Sequence, residues 1–134
     1  MKRFIFFAML VGLSACDIYL YDSDYDSRDR ITGRYDVNEY SETYNDYTSF
    51  SMWIERSGYN SNEVWIDNFY AVNIRVRATI RHDKLTIPRQ VVSGYEVEGV
   101  GTVYSNSISL NYRVKDRYNN YRTDFLEATA YRRY

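Results

Sequence analysis

The sequence predicts an all-β domain: an eight-stranded antiparallel up-and-down meander that closes into a barrel. Three observations predict it. From Ile31 onward apolar and polar residues alternate, turn-forming residues recur about every ten positions, and no stretch carries the spacing of an amphipathic helix.

Strands are expected over 31–40, 46–56, 62–68, 72–81, 84–91, 94–104, 107–115 and 120–132. The plainest is 72–81, with Val72, Ile74, Val76, Ala78 and Ile80 on one face and Asn73, Arg75, Arg77, Thr79 and Arg81 on the other. Registers follow because inward residues must meet inward residues. A two-residue turn at Ser105-Asn106 sets Val103 opposite Ile108, Gly101 opposite Leu110 and Gly99 opposite Tyr112. Glu98 then faces Arg113 and Glu96 faces Lys115, while Tyr112 covers the strand glycine. A turn at His82-Asp83 pairs Ile80 with Leu85 and Ala78 with Ile87, and Pro88 beyond it implies an edge or a bulge. A five-residue loop over 57–61 sets Ile54 opposite Val64, Met52 opposite Ile66 and Trp53 across from Trp65 on the outer face. The last strand has two open phases, with Phe125, Thr129 and Tyr131 or with Leu126, Ala128 and Ala130 inside.

The segment before the barrel reads differently. Lys2 and Arg3 precede a stretch of about ten apolar residues, Phe4 to Leu13, the length of a signal-peptide core and too short to span a bilayer. Leu13-Ser14-Ala15-Cys16 follows, with the only cysteine of the chain. This resembles the lipobox of bacterial lipoproteins, which implies cleavage after residue 15 and acylation of Cys16. Two or more acyl chains hold a protein stably on a membrane, whereas one gives only marginal binding. A single cysteine also precludes an intramolecular disulfide. Residues 16–30 carry five aspartates against two arginines and no apolar period, so they are expected to be a solvated tether. As a flexible chain it would reach roughly 20 Å. The domain is expected over 31–134, where thirteen Lys or Arg balance thirteen Asp or Glu. That neutrality argues against a nucleic-acid surface. Asp17 resembles an inner-membrane retention signal of enteric bacteria, yet acidic residues after the cysteine also resemble surface-export signals of Bacteroidota. The expected address is the cell envelope, the outer membrane ahead of the inner, with the face left open.

Several motifs recur in order: Gly33-Arg34-Tyr35, Ile66-Asp67-Asn68-Phe69, Leu85-Thr86-Ile87-Pro88-Arg89-Gln90, Gly99-Val100-Gly101 and Ala130-Tyr131-Arg132. Behind a lipobox they resemble the small lipocalin-like, calycin-type lipoproteins of Bacteroidota. The resemblance implies a lipocalin-like barrel in which Tyr35 takes the place of the first-strand tryptophan, with Arg132 or Arg133 packed over it. It implies no particular activity.

No constellation for catalysis is legible. The only histidine, His82, falls in a turn without cysteine or histidine neighbours, which argues against a metal site. No G-x-S-x-G elbow or phosphate loop occurs. Glu39 and Glu127 are the carboxylates with an inward option, and a solvated or barrel-mouth role is favoured over a glycosidase pair. No cofactor is expected. Sixteen tyrosines, six phenylalanines and two tryptophans remain. Inward phase assigns Tyr35, Phe50, Tyr95 and Tyr112 to the barrel interior, which at eight strands is just wide enough for side chains or one small ligand. A filled interior is favoured, although Gly99 and Gly101 would free some volume. Trp53 and Trp65 are expected to form a surface contact patch for a protein, glycan or headgroup surface. The functional expectation is therefore a non-enzymatic, membrane-anchored envelope lipoprotein that binds a protein or glycan partner. The competing expectation is a carrier of a small hydrophobic ligand inside the barrel.

Overall fold

The computed structural model describes residues 26–58 and 60–134. A 3-10 turn, Ser27–Arg30, leads into eight strands: β1 (Gly33–Ser41), β2 (Asp46–Arg56), β3 (Glu63–Phe69), β4 (Ile74–Arg81), β5 (Lys84–Val92), β6 (Tyr95–Val103), β7 (Ser107–Asp116) and β8 (Arg122–Arg133). Each strand pairs antiparallel with the next, and β8 returns to β1, so the barrel is closed as expected. Closure removes every free sheet edge. The connections at 42–45, 70–73, 93–94 and 117–121 share one end, here termed the mouth. Those at 57–62, 82–83 and 104–106 share the base with the 3-10 turn.

The base is sealed by residues 26–30, the end of the expected tether. Asp26 caps the 3-10 turn by accepting from the Arg28 backbone N–H at 2.9 Å, and the Arg28 guanidinium returns to the same carboxylate at 2.7 Å. These hydrogen bonds hold the Asp26 carboxyl well below the usual carboxylate range. Buried Arg28 also donates to the carbonyls of Ser57 (2.7 Å), Asn60 (2.7 Å) and Glu63 (3.1 Å), and so fixes the β2–β3 loop. Arg28→Ala is expected to lower stability by about 2 kcal/mol in urea unfolding, the range of a charge-assisted hydrogen-bond network. Arg28→Lys should recover little, because an ammonium cannot reproduce the planar fork.

Arg132 completes the base. Its guanidinium lies 5.9 Å from the Tyr35 ring centroid and donates to the carbonyls of Arg30 and Thr32. The Tyr35 hydroxyl donates to the Ile31 carbonyl at 2.8 Å. Gly33 opens the strand at φ +134, a conformation that L side chains rarely adopt, with Arg132 passing over it. Arg132 rather than Arg133 thus lies over the Tyr35 ring.

The interior is packed. Tyr35, Phe69, Ile31, Met52, Ile54, Ile66, Ile80, Leu85, Ile87, Ile108, Leu110 and Val37 are the largest side chains that are fully buried. The β6–β7 register is the expected one, Gly99 opposite Tyr112 and Gly101 opposite Leu110. The two glycines leave no free volume. A Cβ on Gly99 would lie 2.3 Å from the Tyr112 Cβ, and one on Gly101 would lie 2.7 Å from the Leu110 Cδ2. Glu98 pairs with Arg113 at 2.5 Å, but Glu96, though opposite Lys115, forms its ion pair with Arg89 at 3.1 Å.

Two bulges displace the alternation. Between Asp67 and Phe69 the β3–β4 register shifts by one residue, which turns Phe69 into the core where strict alternation would put Asn68. Between Ile87 and Gln90 the β5–β6 register shifts at Pro88. Here the Gln90 side chain substitutes for a strand: its amide accepts from Arg77 N at 2.9 Å and donates to Arg77 O at 2.8 Å. The gap that proline opens in the ladder is thereby closed.

The β2–β3 register corrects the expected tryptophan pairing. Trp53 lies opposite Asp67 and Trp65 opposite Glu55, two residues away from the direct Trp53/Trp65 pair. The ladder runs one pair beyond Arg56 and Val64, where Ser57 N donates to Glu63 O at 3.0 Å under the Arg28 clamp, so the loop is displaced by one residue from the expected 57–61. A two-residue slip preserves the faces, so both indoles remain on the outer wall.

Candidate functional site

At the mouth, inward positions become polar. On β1 the alternation Tyr35, Val37, Glu39, Ser41 carries a carboxyl and a hydroxyl past the apolar core, with the Glu39 residue 5% exposed and Ser41 7%. On β8 the phase left open by the sequence is resolved with Leu126, Ala128 and Ala130 inside and Phe125 and Tyr131 outside. That phase brings Asp124 inward at 5% exposure, and it leaves Glu127 exposed. The second interior carboxylate is therefore Asp124 rather than Glu127.

Asp124 is held by two hydroxyls. Ser41 Oγ donates to its Oδ1, and Tyr70 Oη donates to its Oδ2 at 2.5 Å. Ser41 is fixed in turn, because its Oγ accepts from Tyr44 N at 3.1 Å. Tyr70 sits in the β3–β4 turn, where Asn68, Tyr70, Ala71 and Asn73 have φ near +60. Asn68 braces this left-handed turn by donating to Ser51 O at 2.7 Å and accepting from Asn73 N at 3.0 Å. Backbone strain of this kind persists only where the surroundings over-determine it. The product is a phenol aimed at Asp124. Burial, and then the hydrogen bond to Asp124, hold the Tyr70 hydroxyl well above the usual phenol range.

Glu39 has no such support. Its Oε1 is buried without a hydrogen-bond partner. Burial, reinforced by the charge of Asp124, raises its carboxyl from 4.5 to about 8. Glu39, Ser41, Tyr44, Tyr70, Val72, Asp124 and their neighbours line a cavity of about 260 Å³ that opens at the mouth.

The expected interior aromatics divide between core and mouth. Tyr35 and Tyr112 are buried, whereas Phe50 and Tyr95 are half-buried and pack against the core from its rim. Tyr70 links the two zones, with ring centroids 6.1 Å from Tyr95 and 6.5 Å from Tyr112 in edge-on contacts. Phe69, which the alternation did not assign, lies 4.5 Å from Tyr112.

The outer wall of β1 to β4 forms a second feature. Trp53 is 41% exposed beneath Arg34, whose guanidinium lies 5.5 Å from the ring. Trp65 is half-buried beneath Arg75 at 5.3 Å. Arg75 also bonds Asp67 and Glu55, each at 2.6 Å, so acids and arginines alternate around the indoles. Elsewhere, a concavity of about 910 Å³ lies on the outer wall, with Thr79, Thr86, Val100 and Ser109 among its lining residues. His82 occupies a base turn at φ +55, with its carbonyl accepting from Arg30. The expected signal peptide and Cys16 lie outside the described residues.

No protein-family model matches the chain, and no curated protein sequence matches it. The eight-stranded antiparallel barrel is consistent with a lipocalin-like fold, and such a barrel is compatible with binding a ligand or a partner.

Proposed function

We propose that the protein is a non-enzymatic envelope lipoprotein, held by acylated Cys16, whose barrel presents its outer wall to a protein or glycan partner. The observation that carries this reading is the contrast between a packed interior and the outward Trp53/Trp65 lattice. Outward indoles flanked by arginines supply flat apolar area together with hydrogen-bond donors, the composition that interface centres favour. The anchor rests on the lipobox-like Leu13-Ser14-Ala15-Cys16, and the acidic segment behind it favours the outer membrane. A carrier of a small hydrophobic ligand is the competing reading. Side chains that occupy the barrel from Ile31 to Tyr112 weigh against it.

Fractionation with surface protease shaving, combined with cross-linking and glycan arrays, tests the proposal. Wild-type protein should partition with membranes, and Cys16→Ala should release it. The double substitution Trp53→Ala with Trp65→Ala should weaken capture by about tenfold or more without unfolding the barrel. An unchanged set of partners and glycans in the double variant would remove the outer-wall reading. Release of wild type and Cys16→Ala alike would remove the anchor.

A further inference from the structure

The mouth cavity carries an unmet chemical demand. Glu39, Asp46 and Asp124 line it, and no Lys or Arg does. Neither Glu39 nor Asp124 has an ion-pair partner among the described residues, although the barrel forms ion pairs along its outer wall and base. The Glu39 Oε1 is unpartnered in a residue 95% buried, because only 5% of its surface is exposed. Leaving a buried acceptor unmet costs roughly 1–3 kcal/mol, more when it is charged, and so calls for a donor from outside the chain. Asp124 is meanwhile fixed in orientation by Ser41 and Tyr70.

The walls narrow the class of donor. Tyr44, Tyr70, Val72 and Leu126 surround the acids with aromatic and aliphatic surface. A hard metal ion would require six or more oxygens, and no group of three His, Cys, Asp or Glu suited to a metal occurs among the described residues. Anions are repelled by the carboxylates. A cation bearing an apolar body satisfies both parts: an ammonium group donates to the carboxylates, and its carbon chain lies on rings that favour positive charge. At about 30 Å³ per water-sized group, the 260 Å³ cavity holds roughly eight or nine non-hydrogen atoms.

We propose that the barrel mouth is a binding site for a small organic ammonium ion, its charged group between Glu39 and Asp124 and its body against Tyr44, Tyr70, Val72 and Leu126. The site stands apart from the outer-wall reading and does not depend on it. Arg122 stacks on Tyr44, which lines the cavity, with its guanidinium 4.8 Å from the ring.

Titration of the purified full-length chain with n-pentylamine and, separately, 1-pentanol tests the proposal, followed by amide NMR shifts and calorimetry at about pH 8.5. The ammonium should bind saturably, with shifts centred on Glu39, Ser41, Tyr70 and Asp124. The alcohol, of equal length but uncharged, should bind at least about tenfold more weakly. Glu39→Gln should weaken the ammonium by about tenfold and leave the alcohol within about threefold. Because glutamine retains the size of the side chain, a folded variant is expected, and its amide spectrum checks this. Equal affinity for amine and alcohol, shifts centred elsewhere, undiminished binding by folded Glu39→Gln, or no saturation by about 20 mM would each overturn the proposal.

Discussion

Glu39→Gln is expected to stabilise the barrel at pH 8 and to leave it nearly unchanged at pH 4.5. The sign follows from proton occupancy. Burial and the charge of Asp124 place the folded carboxyl at about 8, against 4.5 in an exposed chain. Between these values the folded protein keeps a proton that the unfolded chain has released. Raising the pH through this window therefore favours unfolding. The penalty is absent below the lower value and complete above the upper one, where it reaches on the order of 3–5 kcal/mol. Glutamine carries no such titration, and its buried amide costs about the same at every pH. Urea midpoints of the two proteins should thus diverge steadily between pH 4.5 and 8, with wild type falling. Parallel pH profiles would show that Glu39 is not buried in this way. A group that costs stability at neutral pH and has no internal partner is the kind of residue that binding, rather than folding, explains.

Gly99→Ala should damage the barrel strongly, lowering stability by about 2–4 kcal/mol. The new Cβ would meet the Tyr112 Cβ at 2.3 Å, the Asn111 carbonyl oxygen at 2.8 Å and the Tyr112 Cα at 2.9 Å. Two of these are backbone atoms and the third is anchored directly to the backbone, so no rotamer change relieves them. β6 and β7 would have to separate, which would disturb the Gly101–Leu110 contact two pairs further along. Gly58→Ala supplies the control, since a Cβ there meets nothing within 4 Å. Chemical denaturation of both variants distinguishes a crowded strand pair from a general need for glycine. Equal stability of the two would contradict the packing described for β6 and β7.

These two residues also show what could be read from the chain. Gly99 opposite Tyr112 follows from alternation and a two-residue turn, because both strands are regular from Tyr95 to Val103 and from Ser107 to Asp116. Strand number and barrel closure were legible for the same reason: each depends on local pattern or on chain order. An arginine over Tyr35 was implied only by the family resemblance, which left Arg132 and Arg133 open. Phe69, Gln90 and the Trp53 register were not legible, because bulges insert residues that alternation cannot count and the Arg28-clamped loop is displaced by one residue. Arg28 itself looked solvated, since a charged segment hides a side chain that bonds carbonyls far along the chain. The mouth was half legible. Glu39 and Ser41 extend the inward phase of Tyr35 and Val37, but Asp124 joins them only once Tyr112 is paired with Leu126. Applying the inward-with-inward rule from the regular β7 strand would have selected that phase.

Recognition is proposed for the outer wall and the mouth, around an interior filled by its own side chains. Titration of the purified barrel with a fluorescent long-chain fatty acid tests it most directly. No saturable one-to-one fluorescence rise and no competition by unlabelled fatty acid are expected. A saturable signal, displaced by the unlabelled chain and diminished when Tyr112→Trp narrows the interior, would contradict it and establish an open barrel.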